Sequence, residues 1–392
     1  MKRAIIATLA AGVITLTGCT AELPTAARTE KVNQPQFALA LTHTLTTLTS
    51  QQRLGPLAAS RLYGYSFAAA WEAYEVRGNV ADAATAAQEV AKELMFNTNL
   101  PTLQLDALAR RYAPDGPTPQ GSRVAQEYLT RASDDGYEKA REASQPISGP
   151  DTFDWEPTGM ARVPFTDPGY GTVTPLVEAT SSCDIPAPDT VQIASEVRSM
   201  FKNFDPGSTA TELTLLFLAG IATPTPSGQM LQISANATID RGFDERRTLQ
   251  MLAAVSVAAH DAGIAVWREK REHMIARPET LYQRLTDKEI FLPRETPSHP
   301  SYPSGHSGFS GGAVAVLEAF LGEEIGLYLV APEDLAAPRA RFDFAGPDQL
   351  LELVNQSRID AGFHTRTDVV AGASLGRCIG AVVVNHFLEG TQ

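Results

Sequence analysis

The sequence predicts an all-α protein built from two packed helical bundles. Apolar residues recur at helical spacing along the chain, as in Ala38, Leu41, Leu45 and Leu48, whereas no segment sustains the period-two alternation of a half-buried strand. Size permits such an architecture. The chain has 392 residues, 43% hydrophobic and 20% charged, enough for one large core or two packed subdomains.

Residues 1–18 read as a lipoprotein signal peptide: Lys2 and Arg3 precede a short apolar run from Ala4 to Leu16, and Leu16-Thr17-Gly18-Cys19 forms a cleavage box with Cys19 as the lipid acceptor. Residues 19–35 follow as a tether. The expected location is extracytoplasmic, on the membrane through that lipid alone. In 36–142, "RLYGYSFAAAWEAYEV" and "ADAATAAQEVAKELMF" are rich in good helix formers and mark an N-terminal helical bundle. The composition then shifts to Pro, Gly, Thr and Asp over 143–190, which we expect to wrap the helical surface. Helical patterns resume in 191–392, the catalytic bundle, at 191–204, 209–220, 244–276, 307–321 and 366–388. No 20-residue apolar run suggests a membrane span. A net charge of −13 makes nucleic acid a poor partner and confines any anion site to a local basic pocket. Cys183 and Cys378 leave pairing open, and no CxxC or HExxH zinc signature occurs.

Three stretches carry chemistry. Lys270 and Arg277 lie seven residues apart at the end of the 244–276 helix, so both are expected on one helical face about 10 Å apart. "PSYPSGHSGFSGG", residues 300–312, puts Ser304, Gly305 and His306 at a helix N-terminus, where free N–H groups and the macrodipole favour an anion. In "SRIDAGFHTRTDVVAG", Asp368 follows His364 by four residues, close enough on a helix to hold one ring nitrogen and free the other. Arg358 adds a second guanidinium. The combined inventory suits a tetrahedral oxyanion whose oxygens become equatorial in a trigonal-bipyramidal species.

Lys270, Arg277-Pro278, then Pro303-Ser304-Gly305-His306, then Ser357-Arg358, His364 and Asp368 together resemble the type 2 phosphatidic acid phosphatase and vanadium-dependent haloperoxidase superfamily. Similarity around "AAHDAGIAVWREKREHMIARP" and "LLFLAGIATPTPSGQMLQIS" favours its soluble, haloperoxidase-like branch. The resemblance implies that Lys270, Arg277, Ser304, Gly305 and Arg358 hold the oxygens of vanadate or of a phosphoryl group. It makes His364 the apical group that bonds vanadium or attacks phosphorus, His306 the acid and base opposite, and Asp368 the residue that orients His364.

Peroxidase and phosphatase share this cradle, so the motifs alone do not separate them. Trp267 and His299 stand where relatives place halide-pocket residues, and a histidine at 299 is the bromoperoxidase pattern; the expected reaction is oxidation of halide, bromide favoured, by hydrogen peroxide. Thr365, Arg366 and Thr367 are more polar than the aromatic residues many peroxidases carry there. An extracytoplasmic acid phosphatase acting on phosphate monoesters through a phosphohistidine is the alternative. Two further readings are a non-enzymatic anion-binding lipoprotein and a serine hydrolase with Ser310 in "GFSGG" as nucleophile.

Overall fold

The computed structural model describes residues 36–95, 102–147, 149–158, 162–202, 204, 212–292, 294–323, 325–330 and 341–389. The signal peptide, Cys19 and the tether lie outside them. Fourteen helices are present among the described residues: α1 Gln36–Gln51, α2 Pro56–Arg77, α3 Val80–Met95, α4 Leu103–Tyr112, α5 Pro119–Asp134, α6 Tyr137–Arg141, α7 Thr190–Lys202, α8 Glu212–Leu216, α9 Thr225–Asp240, α10 Glu245–His273, α11 Pro278–Thr286, α12 Gly305–Leu321, α13 Pro347–Asp360 and α14 Arg366–Glu389. One antiparallel hairpin, β1 Leu327–Val330 with β2 Arg341–Phe344, stands beside α9.

α10 is the central element. Asp244 caps its start, the side chain accepting from the Arg247 N–H, and its flanks pack against α2, α9, α12 and α14. Almost every residue from Thr248 to Trp267 is therefore buried, which explains a helix apolar nearly all round. α10 and α14 do contain membrane-length apolar windows, contrary to the expectation of none, but the α10 window lies wholly within the fold.

The glycines of "GHSGFSGG" answer to the α12–α14 contact. A Cβ at Gly376 would lie 2.2 Å from the Gly308 carbonyl oxygen, and one at Gly372 2.4 Å from that of Ser304. These helices meet backbone to backbone, an approach that only residues without side chains permit.

The Pro- and Gly-rich stretch 143–190 holds two short 3₁₀ turns, Tyr170–Thr172 and Glu178–Ser182. It is pinned to the turns that carry the site. Trp155 N–H donates to the Met274 carbonyl at 2.6 Å, Ala276 N–H to that of Phe153 at 2.7 Å, and Thr166 N–H to that of Ser298 at 2.8 Å. A disulfide joins Cys183 to Cys378 on α14, settling a pairing the sequence left open.

Three readings of local structure require correction. The predicted 244–276 helix stops at His273 because Met274 turns left-handed, at φ 47°, and its N–H bonds back to the Lys270 carbonyl. Arg277 is consequently the N-cap of α11, extended at φ −68° and ψ 152°, rather than a second residue on the Lys270 face. The β1–β2 hairpin, α9, α11 and α13 were also not anticipated, and of the helix expected over 209–220 the described residues hold only α8; strands of four residues are too short for alternation to register.

Candidate oxyanion site

The two corrected helix ends bring the pieces together. Lys270 leaves the last turn of α10, Arg277 the following turn, and His299 and Ser301 the 297–304 loop. Ser304 caps α12, accepting from the Ser307 N–H. Gly305 and His306 then open that helix before its first internal bond, Gly308 N–H to the Ser304 carbonyl, so their N–H groups lie at the positive end of the dipole. Arg358 lies in the last turn of α13 and His364 in the short link to α14. Ser304 N–H donates to the Asp368 carbonyl at 2.9 Å, joining the second motif directly to the third.

Three cations converge in full burial. Lys270 is 0% exposed, Arg277 0% and Arg358 1%. Lys270 Nζ donates to the carbonyls of Pro300, Ser301 and Pro303 at 2.6, 3.1 and 2.6 Å. An ammonium has three protons, and all three are engaged. In this geometry Lys270 shapes the 300–303 loop and contributes charge, whereas the sequence reading made it a direct holder of an anion oxygen. Arg277 donates through Nε to the His299 carbonyl, through Nη2 to that of Pro297, and through Nη1 to that of Phe363. Arg358 Nε meets Ser357 Oγ at 3.1 Å and Nη1 lies 3.4 Å from His306 Nε2, while Nη2 is buried with no acceptor among the described residues. A buried guanidinium with an unmatched donor calls for an anion. Burial lowers Arg277 to about 10 and Arg358 to about 9, the latter helped by the charge of Arg277.

His364 Nε2 lies 3.2 Å from Arg277 Nη1. Guanidinium only donates, so Nε2 must present its lone pair and Nδ1 must carry the proton. Burial, then the charges of Arg277, Lys270 and Arg358, hold His364 well below its usual 6.5; His306 is held low by burial, then by Arg358 and Arg277, and His299 by burial, then by Arg277 and Lys270. His306 also feels His364, which places the two rings in one electrostatic environment. A bound anion would offset those charges and shift His306 back upward.

Asp368 does not reach His364 as a helical neighbour. His364 precedes α14, and its Nδ1 stands 3.6 Å from Asp368 Oδ2, too far for a hydrogen bond. The carboxylate instead completes a capping box: Oδ2 accepts from the Thr365 N–H at 2.8 Å, and Asp368 N–H donates to Thr365 Oγ1 at 3.2 Å. Ser301 Oγ fills the gap, at 2.7 Å from Asp368 Oδ2 and 3.4 Å from His364 Nδ1. Sequence reading missed Ser301, although it stands five residues before His306 in the same stretch. It also missed Glu196 of α7, which accepts from the N–H and hydroxyl of Thr367; nothing in the local sequence signals so distant a tie. Thr365 and Thr367 owe their polarity to these caps.

Trp267 and His299 pack with ring centroids 4.9 Å apart and planes tilted by 49°, and His299 also approaches Arg277 Nη2 at 3.0 Å. Trp267 Nε1 donates to the Thr166 carbonyl, which fixes the indole from behind. Ser310 lies inside α12, 1% exposed and with no hydrogen-bond partner. The strand-to-helix elbow that a hydrolase nucleophile needs is therefore absent there. Among the described residues no three His, Cys, Asp or Glu side chains gather as a metal-cation site. The donor set fits a multiply charged tetrahedral oxyanion such as vanadate or phosphate.

Residues 250–391 match the family model of the VCPO second helical-bundle domain. The structure of the first bacterial vanadium-dependent iodoperoxidase has a TM-score of 0.77 at 22% identity, covering 90% of this chain and 96% of that one. A bacterial vanadium-dependent chloroperoxidase in its apo form scores 0.66 at 14% identity, covering 86% and 96%. Its holo form scores 0.65 at 14% identity, covering 91% and 97%. None of the curated proteins matches the chain.

Proposed function

We propose that this chain, which has the all-α fold of the vanadium haloperoxidase and acid phosphatase superfamily and carries the VCPO-type second helical-bundle domain over residues 250–391, is a vanadium-dependent haloperoxidase-like enzyme. One observation carries the reading: buried cations surround a histidine whose Nε2 is unprotonated, its lone pair facing Arg277 Nη1, and Arg358 Nη2 is buried with no acceptor among the described residues.

In this reading Arg277, Arg358, Ser304 and the Gly305 amide hold the oxygens of vanadate, and Lys270 adds charge from behind the loop. His364 Nε2 would bond the vanadium. Bound vanadate supplies Lewis-acid activation of hydrogen peroxide towards halide. His306, on the guanidinium of Arg358, takes up and returns the proton on the opposite side. Trp267 and His299 form the wall a halide meets, and bromide is the favoured substrate because a histidine occupies position 299; iodide belongs in the same assay, given the iodoperoxidase fold.

The protein is proposed to act outside the cytoplasm as a lipoprotein anchored through Cys19. The Cys183–Cys378 disulfide supports an oxidising compartment. Its small partners are peroxide and halide, or a phosphate ester if the same cradle hydrolyses phosphate.

One preparation assayed with and without orthovanadate tests the reading. Vanadate is expected to confer peroxide-dependent bromination while suppressing any hydrolysis of phosphate monoesters, and His364→Ala is expected to lose both. Hydrolysis with no halide oxidation under any vanadate loading would replace the peroxidase by the phosphatase. Tight anion binding without either turnover would leave a binding protein.

A further inference from the structure

We propose that the Ser301 hydroxyl is the positioning group through which Asp368 fixes the ring of His364. The role of His364 as apical nitrogen rests on the function proposed above; the link itself rests on the geometry.

Asp368 Oδ2 is 3.6 Å from His364 Nδ1 and cannot hold it directly. Ser301 Oγ donates to that same oxygen at 2.7 Å. A hydroxyl has one proton and two lone pairs. With its proton committed to Asp368, Ser301 can only accept from the ring, and Nδ1 at 3.4 Å is the atom that faces it. Arg277 independently demands the same tautomer from the other side, because Nε2 must accept from Nη1. The proton order then runs without conflict from Nδ1–H to Oγ and from Oγ–H to the carboxylate.

The backbone around Ser301 makes this hydroxyl a fixed point. Its N–H donates to the Ile275 carbonyl at 2.8 Å and its carbonyl accepts from Lys270 Nζ at 3.1 Å. Ser301 is 1% exposed, His364 2% and Asp368 1%, so no water competes at the surface. Lys270 thereby acts on His364 through the loop it clamps. Outer partners of a ligating histidine set its tautomer and orientation and typically change affinity or activity about 10–100-fold when removed.

The test compares Ser301→Ala with Ser301→Thr. The alanine retains the Ser301 carbonyl, which also acts on the His364 ring, so it reports on the hydroxyl alone; threonine restores the hydroxyl. Ring ¹⁵N shifts of His364, assigned with His364→Gln, are measured in protein free of added anion. Wild type, Ser301→Thr and Ser301→Ala are all expected to show the neutral tautomer protonated at Nδ1, with the Nδ1 resonance of Ser301→Ala displaced from the other two by loss of its contact with the hydroxyl. In parallel, orthovanadate affinity by calorimetry is expected to fall roughly 10-fold in Ser301→Ala and to recover in Ser301→Thr. An unchanged Nδ1 resonance and unchanged affinity in a folded Ser301→Ala would overturn the inference. Should wild type show neither bromination nor ester hydrolysis, the proposed function fails, yet the Nδ1 comparison still decides the link.

Discussion

Arg358→Met should make the anion-free protein more stable while abolishing its response to oxyanions. Wild type keeps a guanidinium fully buried with Nη2 unmatched, and its pKa is pushed from 12.5 to about 9. At about 1.4 kcal/mol per factor of ten, that environment disfavours the charge by about 5 kcal/mol. Methionine removes the charge and keeps much of the volume. Against this stand the bonds to Ser357 and His306, about 1 kcal/mol each, and some packing. A net gain of about 2 kcal/mol corresponds to a Tm rise of about 2.5 °C for a protein of this size. The assay is thermal unfolding in anion-free buffer and again with phosphate or vanadate at about 100 times its Kd. There wild type should gain about 2.7 kcal/mol, roughly 3.5 °C, and the variant nothing. A variant that melts several degrees below wild type, or retains the phosphate shift, would refute the reasoning that Arg358 is destabilised in readiness for an anion.

Gly376→Ala places a methyl 2.2 Å from the Gly308 carbonyl oxygen, so α12 and α14 must separate. A loss of about 1–3 kcal/mol in urea unfolding is expected, with weaker phosphate binding because Ser304 and Asp368 join across that interface. Replacing Cys183 and Cys378 together by Ser releases a loop closed across 195 positions. Chain entropy sets the effect at about 5 kcal/mol, read as a lowered urea midpoint that reductant reproduces in wild type. His260, buried beneath Tyr170, is depressed to about 3 by burial and then by Arg61 and Arg131. Its ring stays neutral in the folded state while the unfolded chain protonates below about 6.5. Its contribution is thus complete above that pH and declines by about 1.4 kcal/mol per unit as pH falls towards 3. His260→Phe should flatten the acid limb of a stability–pH profile.

The chemistry was more legible in the sequence than the geometry that delivers it. Motifs such as Pro-Ser-Gly-His report residue types that an oxyanion requires, and helical spacing reports burial of one face, so the all-α class and the convergence of Arg277, His306, Arg358 and His364 could be anticipated. Chain reversal could not. The left-handed turn at Met274 carries no glycine to announce it, and without it Lys270 and Arg277 read as neighbours on one helix. The i, i+4 spacing of His364 and Asp368 similarly suggested a direct pair, whereas Thr365 starts α14 between them and turns the carboxylate into a cap. Ser301 became visible only once the loop was seen folded over Lys270. The hairpin escaped because its strands are only four residues long, and α13 because its buried face continues past Leu350, Leu351 and Val354 through polar residues, Asn355, Ser357 and Arg358.

The most direct test of the central claim is a crystal structure of the protein soaked in orthovanadate, with vanadium located by anomalous scattering. The account predicts one fully occupied vanadate bonded to His364 Nε2, its oxygens shared among Arg277, Arg358, Ser304 and the Gly305 amide, with His306 on the far side. Vanadium bound elsewhere, or a cradle that stays closed on its own carbonyls at saturating vanadate, would contradict it.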